Sequence, residues 1–273
     1  MRNSIVFLIF ASVATAPSAL PQASESASRA EMDLGVQAYK NSRYAEAAEH
    51  FKTAVMLDSS NQDAQLNLAF SYMIQWVPGA DSADNHIKFN LAHQAFDKVL
   101  QNDPANTRAL AAMASMAYNS AVSGTPEQKA AALDEAKRWN QRRIEVDPKD
   151  AEPRYYLGVI AWAQAFTPIQ TERVKSGMRP DDPGPLKNDT ARQELKAKYQ
   201  KTIEDGKQAL KECLDIDKEN EDAMSYMNLL LRKQADLEDS PEAARADVAE
   251  AEDWANKSLE LKKLKAGRMQ NAQ

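Results

Sequence analysis

The sequence predicts an all-α fold, a solenoid of stacked helical hairpins, and three observations carry that prediction. Ala, Leu, Glu, Lys and Gln dominate, strand formers are scarce, and only eight Gly and twelve Pro interrupt 273 residues, so local propensity favours helices joined by short turns. Between Leu34 and Asp58 small and large residues alternate at helical spacing, as two amphipathic helices packed on each other require. Similar chain endings then recur downstream: Asn102-Asp103-Pro104, Val146-Asp147-Pro148 and Ile216-Asp217-Lys218. With 43% hydrophobic residues such a chain has enough apolar material for a sizeable core.

The first hairpin is the plainest. Leu34-Gly35, Tyr39, Tyr44, Ala47, Phe51, Ala54 and Asp58 stand in order between Ser28 and Asn61, and Gly35 and Ala47 permit helices to approach closely. These residues resemble the signature of the tetratricopeptide repeat, a 34-residue helix-turn-helix unit. Leu157-Gly158 repeats the first-helix part of the signature after Pro153. The resemblance implies a tetratricopeptide-like solenoid over nearly all of the chain downstream of its N-terminal segment.

Five units are laid out by their second helices, with Ala47, Ala92, Ala136, Gly206 and Ala251 at the equivalent small position. Leu133 to Trp139 aligns with Val248 to Trp254, apolar on apolar and tryptophan on tryptophan. The closing aspartates Asp58, Asp103, Asp147 and Asp217 are separated by 45, 44 and 70 residues. Each later unit thus carries extra chain, and about eleven residues are three helical turns, which predicts long helix pairs. Thr125-Pro126-Glu127-Gln128 and Ser240-Pro241-Glu242 read as helix caps followed by proline in the first turn. Thr167 to Asn188 holds Pro168, Gly177, Pro180, Pro183, Gly184 and Pro185 and is predicted to be a long Pro/Gly-rich loop, with Asp189-Thr190 capping the helix that follows it to about Ile216.

At the N-terminus, Arg2, the apolar run Ile5 to Val13 and the small residues from Ala14 to Ala19 have the layout of a secretory signal peptide, too short to span a bilayer. The expected organisation is a signal peptide over 1–18, a short linker over 19–27, the solenoid over 28–265 with the insertion at 167–188, and a C-terminal tail over 266–273. That predicts an exported protein, periplasmic or secreted, with no membrane span once the signal is removed. The single cysteine, Cys213, falls where the first unit has Ala54 and is expected to be a buried thiol. Without the signal, 33 Lys and Arg face 40 Asp and Glu, a net charge of −7, which argues against nucleic acid or anionic lipid as the principal partner.

Catalytic chemistry requires convergent titratable groups, and the sequence nominates none. His50, His86 and His93 form no motif, and phosphate-loop, dinucleotide-binding, Cys-x-x-Cys, His-Glu-x-x-His and Gly-x-Ser-x-Gly patterns are absent. No catalytic, cofactor-binding or metal-binding residue is therefore assigned, and no cofactor is expected. The basic tail Lys262, Lys263, Lys265 and Arg268 either meets an acidic partner or a membrane, or complements the dipole of its helix.

The resemblance implies binding on the concave face lined by each unit's first helix. On this chain that face collects Met32, Val36, Tyr39, Leu66, Phe70, Met73, Tyr155, Val159 and Trp162, an apolar and aromatic partner groove. The family's clamp for C-terminal carboxylates requires Lys and Asn at successive positions. Here Met32 and Val36 stand at the first pair, and only Asn67 and Arg108 are retained. Either a partner fills the groove or the chain's own insertion folds over Trp162. The expected function is a non-catalytic interaction scaffold or adaptor that holds a protein or peptide of the cell envelope. An alternative is an accessory role in TonB-type energy transduction or outer-membrane assembly, because Ala223 to Leu237 resembles a segment of exported bacterial repeat proteins. An enzyme on a helical solenoid, the third class, would require an acid-base pair that the sequence does not display.

Overall fold

The computed structural model describes residues 19–179 and 181–271, and among them there are ten helices and no strand. The helices are α1 (Ala19–Lys40), α2 (Tyr44–Leu57), α3 (Gln62–Met73), α4 (Ala83–Asn102), α5 (Thr107–Ser120), α6 (Pro126–Val146), α7 (Glu152–Lys175), α8 (Asp189–Ile216), α9 (Glu221–Leu237) and α10 (Pro241–Asn271). They pack as five antiparallel hairpins, α1 with α2, α3 with α4, α5 with α6, α7 with α8 and α9 with α10. Each second helix also meets the first helix of the next hairpin, so the chain is an all-α solenoid of five units.

The recurring aspartates build the turns between units. Asp58, Asp103, Asp147 and Asp217 each end a second helix with their own N–H bonded to the carbonyl four residues back, of Ala54, Val99, Arg143 and Cys213. Each carboxylate then accepts from the N–H two residues on, of Ser60, Ala105, Lys149 and Glu219. Three residues after the aspartate, Asn61, Asn106 and Asn220 cap the next helix by accepting from the N–H of Ala64, Ala109 and Ala223 at 2.9–3.0 Å. An asparagine in that position stabilises a helix start by about 1 kcal/mol. Thr125 and Gln128 form a reciprocal capping box ahead of α6, and the Ser240 hydroxyl accepts from the N–H of Ala243 at the start of α10.

Helix crossings fall at the small residues. Ala47, Ala92, Ala136 and Ala251 are fully buried. A Cβ at Gly35 would stand 2.6 Å from the ring of Phe51, and one at Gly158 would stand 2.4 Å from Leu210, so both glycines are where a first helix touches its partner. Gly206 is the counterpart from the other side, since a Cβ there would stand 2.4 Å from that of Ala161. The largest core joins α7 to α10 around Ile169, Ile203, Leu210, Met227 and Leu230. A second joins α3 to α5 around Phe96 and Leu110, and the smallest lies between α1 and α2 around Phe51.

Four expectations require correction. The stretch 167–188 is not all loop: α7 runs through Pro168 to Lys175, because Ala165, Ile169 and Arg173 continue its buried stripe. That burial outweighs the roughly 3 kcal/mol cost of an interior proline. The linker expected over 19–27 belongs to α1, and Ser28 within it is buried, donating to the Ala54 carbonyl at 2.9 Å. The tail expected over 266–273 is helical to Asn271. Helix growth is also uneven, since α3 and α5 keep 12 and 14 residues while α4 and α6 reach 20 and 21. The signal peptide over 1–18 lies outside the described residues.

Candidate partner-binding face

Only part of the predicted groove is a surface. Met32, Val36 and Tyr39 pack partly buried over the small first core. On α3, Leu66 is 4% exposed, enclosed with Phe96 and Leu100 of α4. On α7, Val159 is 3% exposed, because it adjoins Gly158, where α8 comes closest. Leu66 and Val159 are therefore core residues and not anchors, since a stripe at helical spacing is wide enough for some members to face the neighbouring helix. Phe70 meets Phe96 edge-on at 5.1 Å and lies under the Arg108 guanidinium at 5.2 Å, with Met73 packed beside the same core.

The α7 residues gather partners that the sequence reading missed. Tyr226 of α9 stands between Tyr155 and Trp162, with ring centroids 5.7 Å and 5.8 Å away and both pairs edge-to-face. Tyr156 adjoins Tyr155 at 5.2 Å, and Phe166 adjoins Trp162 at 4.7 Å. Burial, then the neighbouring phenols of Tyr226 and Tyr156, pushes the Tyr118 hydroxyl of α5 above its usual range. Burial does the same to Tyr155 and Tyr226, with Asp222 contributing to both. Rings from three consecutive first helices thus share one face. Tyr226 escaped notice because the fifth unit has no glycine at its first-helix crossing to fix a register: Asn228 stands two residues after Tyr226, where Gly158 stands two residues after Tyr156.

Among the described residues no side chain or backbone group hydrogen-bonds the hydroxyls of Tyr118, Tyr155, Tyr156 and Tyr226, or the indole N–H of Trp162. The second-helix tryptophans are different. Trp139 donates to Glu135 at 3.2 Å and Trp254 to Glu250 at 3.3 Å, and Arg142 and Lys257 lie over their rings. The aligned Leu133–Trp139 and Val248–Trp254 stretches thus share one self-contained device. Four residues before Trp162 stands Gly158, which offers no acceptor side chain.

Nearby cations are already occupied. Arg154 pairs with Glu212 at 3.5 Å and Lys233 with Asp236 at 2.7 Å. The basic tail folds back on its own molecule: Lys262 reaches Asp222 at 3.5 Å, Arg268 reaches Glu219 at 3.2 Å, and Lys265 pairs with Glu221. Three of the four tail cations thus pair with acids at or just before the start of α9.

The described part of the remaining loop is tied to the helix ends, and its Met178 packs against the same core as Trp162. Buried Arg173 pairs with buried Asp236 and donates to the carbonyls of Arg179 at 2.7 Å and Asp182 at 2.8 Å. The Leu186 N–H donates to the Asp236 carbonyl at 2.9 Å, and Arg192 donates to the Leu186 carbonyl at 3.0 Å. Gly184 adopts φ of 86° where a Cβ would stand 2.7 Å from the Ala235 carbonyl, so only glycine fits there. The segment is a clasp joining the ends of α7 and α9.

The other candidates give no convergent chemistry. His50 pairs with Glu31 at 2.7 Å, His86 lies 3.6 Å from Asp81, and His93 lies 3.2 Å from Asp97. The described residues hold no group of three or more acidic, His or Cys side chains arranged for a metal. Burial pushes the Cys213 thiol up to about 11, which removes thiolate character at neutral pH. A cleft of about 130 Å³ between α6, α7 and α8 is lined by Lys137, Gln141, Gln164 and Thr202, well below the ~300 Å³ at which small-molecule sites begin.

Five hairpins stacked so that their first helices share a surface define the class, a helical-repeat solenoid with a partly open first-helix face. The fold is that of the tetratricopeptide-repeat proteins. MamA aligns over 88% of this chain and 94% of its own at a TM-score of 0.58 and 15% identity. MamA from Desulfovibrio magneticus RS-1 aligns over 86% and 95% at 0.53 and 13%. YrrB, described as a TPR protein with an unusual peptide-binding site, aligns over 90% and 98% at 0.51 and 14%. No family model and no curated protein matches the sequence.

Proposed function

We propose that this chain is an exported, non-catalytic scaffold that holds a protein or peptide partner of the cell envelope on its first-helix face. The observation that carries the reading is the partly buried cluster of Tyr155, Tyr226 and Trp162, whose polar atoms have no partner within the described residues. Large aromatic side chains with a polar tip are the usual anchors of protein interfaces. YrrB, a similar solenoid, binds peptide by its description, which is the ligand class proposed here. Export, to the periplasm or beyond it, rests on the signal-peptide layout of residues 1–18.

The test has two parts. N-terminal sequencing of the protein from the envelope fraction should give a chain starting near Ala19, and recovery of intact Met1 overturns export with cleavage. Affinity capture from the same fraction should enrich a defined set of proteins that a Trp162→Ala, Tyr226→Ala variant of unchanged helicity no longer holds. An unchanged set moves the binding surface elsewhere.

A further inference from the structure

The rings of this face form a ladder whose spacing suits one kind of chain. Tyr155 and Trp162 are seven residues apart on α7, which is about 10–11 Å along the helix. Tyr226 is the middle rung, 5.7 Å and 5.8 Å from the outer two. A polyproline II chain returns to the same edge every three residues, an advance of about 9 Å. Successive turns of such a chain meet the two outer rungs with little adjustment.

The polar groups narrow the choice further. Two hydroxyls and an indole N–H on the ladder, with the hydroxyls of Tyr118 and Tyr156 beside it, have no protein partner among the described residues. A chain that covers them must supply acceptors or leave donors buried and unmet. A proline-rich chain exposes its carbonyls, and its prolines bring no N–H of their own to satisfy. A helical peptide has most of its carbonyls committed internally. A chain ending in a carboxylate would meet Asp222, whose charge acts on both Tyr155 and Tyr226, while Arg154 and Lys233 are held by Glu212 and Asp236.

We infer that the Tyr155, Tyr226 and Trp162 ladder binds a proline-rich segment of a protein partner in the polyproline II conformation, with a Lys or Arg beside the prolines set against Asp222. The inference rests on the proposed reading of this face as the docking surface. It adds what the partner must present. Lys262 already lies 3.5 Å from Asp222, but both side chains are about half exposed or more, so a partner cation can share or displace it.

The experiment is fluorescence anisotropy with the full chain lacking residues 1–18 and a labelled synthetic peptide of six consecutive prolines followed by a lysine. Saturable binding is expected, with an alanine-based helical peptide of equal length and charge at least tenfold weaker. Replacing the peptide lysine by glutamate should weaken binding about two- to fivefold. Tyr155→Phe combined with Tyr226→Phe should weaken it about fivefold or more at an unchanged melting temperature, since those hydroxyls make no hydrogen bond among the described residues. Trp162→Ala should abolish it. Absence of saturable binding, equal affinity for the helical peptide, or wild-type affinity in the Tyr→Phe variant overturns the inference. If the proline peptide fails while envelope capture still depends on Trp162 and Tyr226, only the proline specificity falls; if both fail, the face itself is wrong.

Discussion

At the scale of single residues, the most consequential side chain is Asp236. It is 1% exposed and is shared by Arg173 and Lys233, themselves nearly buried. Removing one member of a buried charge network strands the others, which costs about 3–5 kcal/mol. Asp236→Ala should therefore lower the unfolding free energy by that amount in urea titration, and a loss below about 1 kcal/mol contradicts the clasp. Nothing in the sequence pointed to this pair, because the partners are 63 positions apart and each reads alone as a solvated helix charge. The turn aspartates, by contrast, were visible as a repeated ending, since their bonding is local.

Asp247 gives a second residue-level prediction. Gln234 donates to one of its oxygens at 3.0 Å, while the other is buried without a partner. Burial first, then the Glu238 charge, pushes its carboxyl from 3.8 up to about 6, against the opposing pull of Lys207. The folded chain therefore binds this proton more tightly than the unfolded chain. Its stabilising contribution is full below about pH 4 and is lost as pH rises through about 6. Asp247→Asn should raise the melting temperature relative to wild type at pH 7.5, and the advantage should vanish as pH falls toward 4. A pH-independent difference would rule out this titration as its source.

At the scale of elements, α7 organises the C-terminal half, packing on α8 and on α9. Its crossing with α8 was legible, because Leu157-Gly158 repeats Leu34-Gly35. Gly158→Leu should destabilise by about 1–3 kcal/mol, seen as a lower urea midpoint, whereas Glu250→Gln on the exposed side of α10 should change little. Equal effects would count against the register. The continuation of α7 was not legible, since proline and glycine dominate any local reading of 167–188 while the deciding contacts of Ile169 and Arg173 come from α9 and the clasp. Pro168→Ala should stabilise the chain by up to about 3 kcal/mol if helix geometry there is regular, checked by thermal unfolding; a loss of stability would show that the proline ring's packing matters more. The groove shows the same division. Tyr155 and Trp162 follow from helical spacing, but their third ring lies in a unit whose signature has faded.

At the scale of the whole molecule, solenoid stability is a sum over units and their interfaces. The core shared by α7 to α10 is the largest, and that between α1 and α2 the smallest. Hydrogen exchange should therefore find the amides of α2 opening before those of α7 and α9, and uniform protection would indicate a single cooperative block. The clasp has a further consequence for how this molecule could change over generations. A hairpin bonded only to its neighbours is a module that unequal recombination could duplicate or delete while leaving matched surfaces behind. The fourth and fifth hairpins are bolted together by Arg173, Asp236 and the Gly184 turn, so neither can be copied or lost alone without stranding a buried charge. Lineages carrying this chain should vary in repeat number upstream of Asp147 and keep the last two hairpins as an inseparable pair.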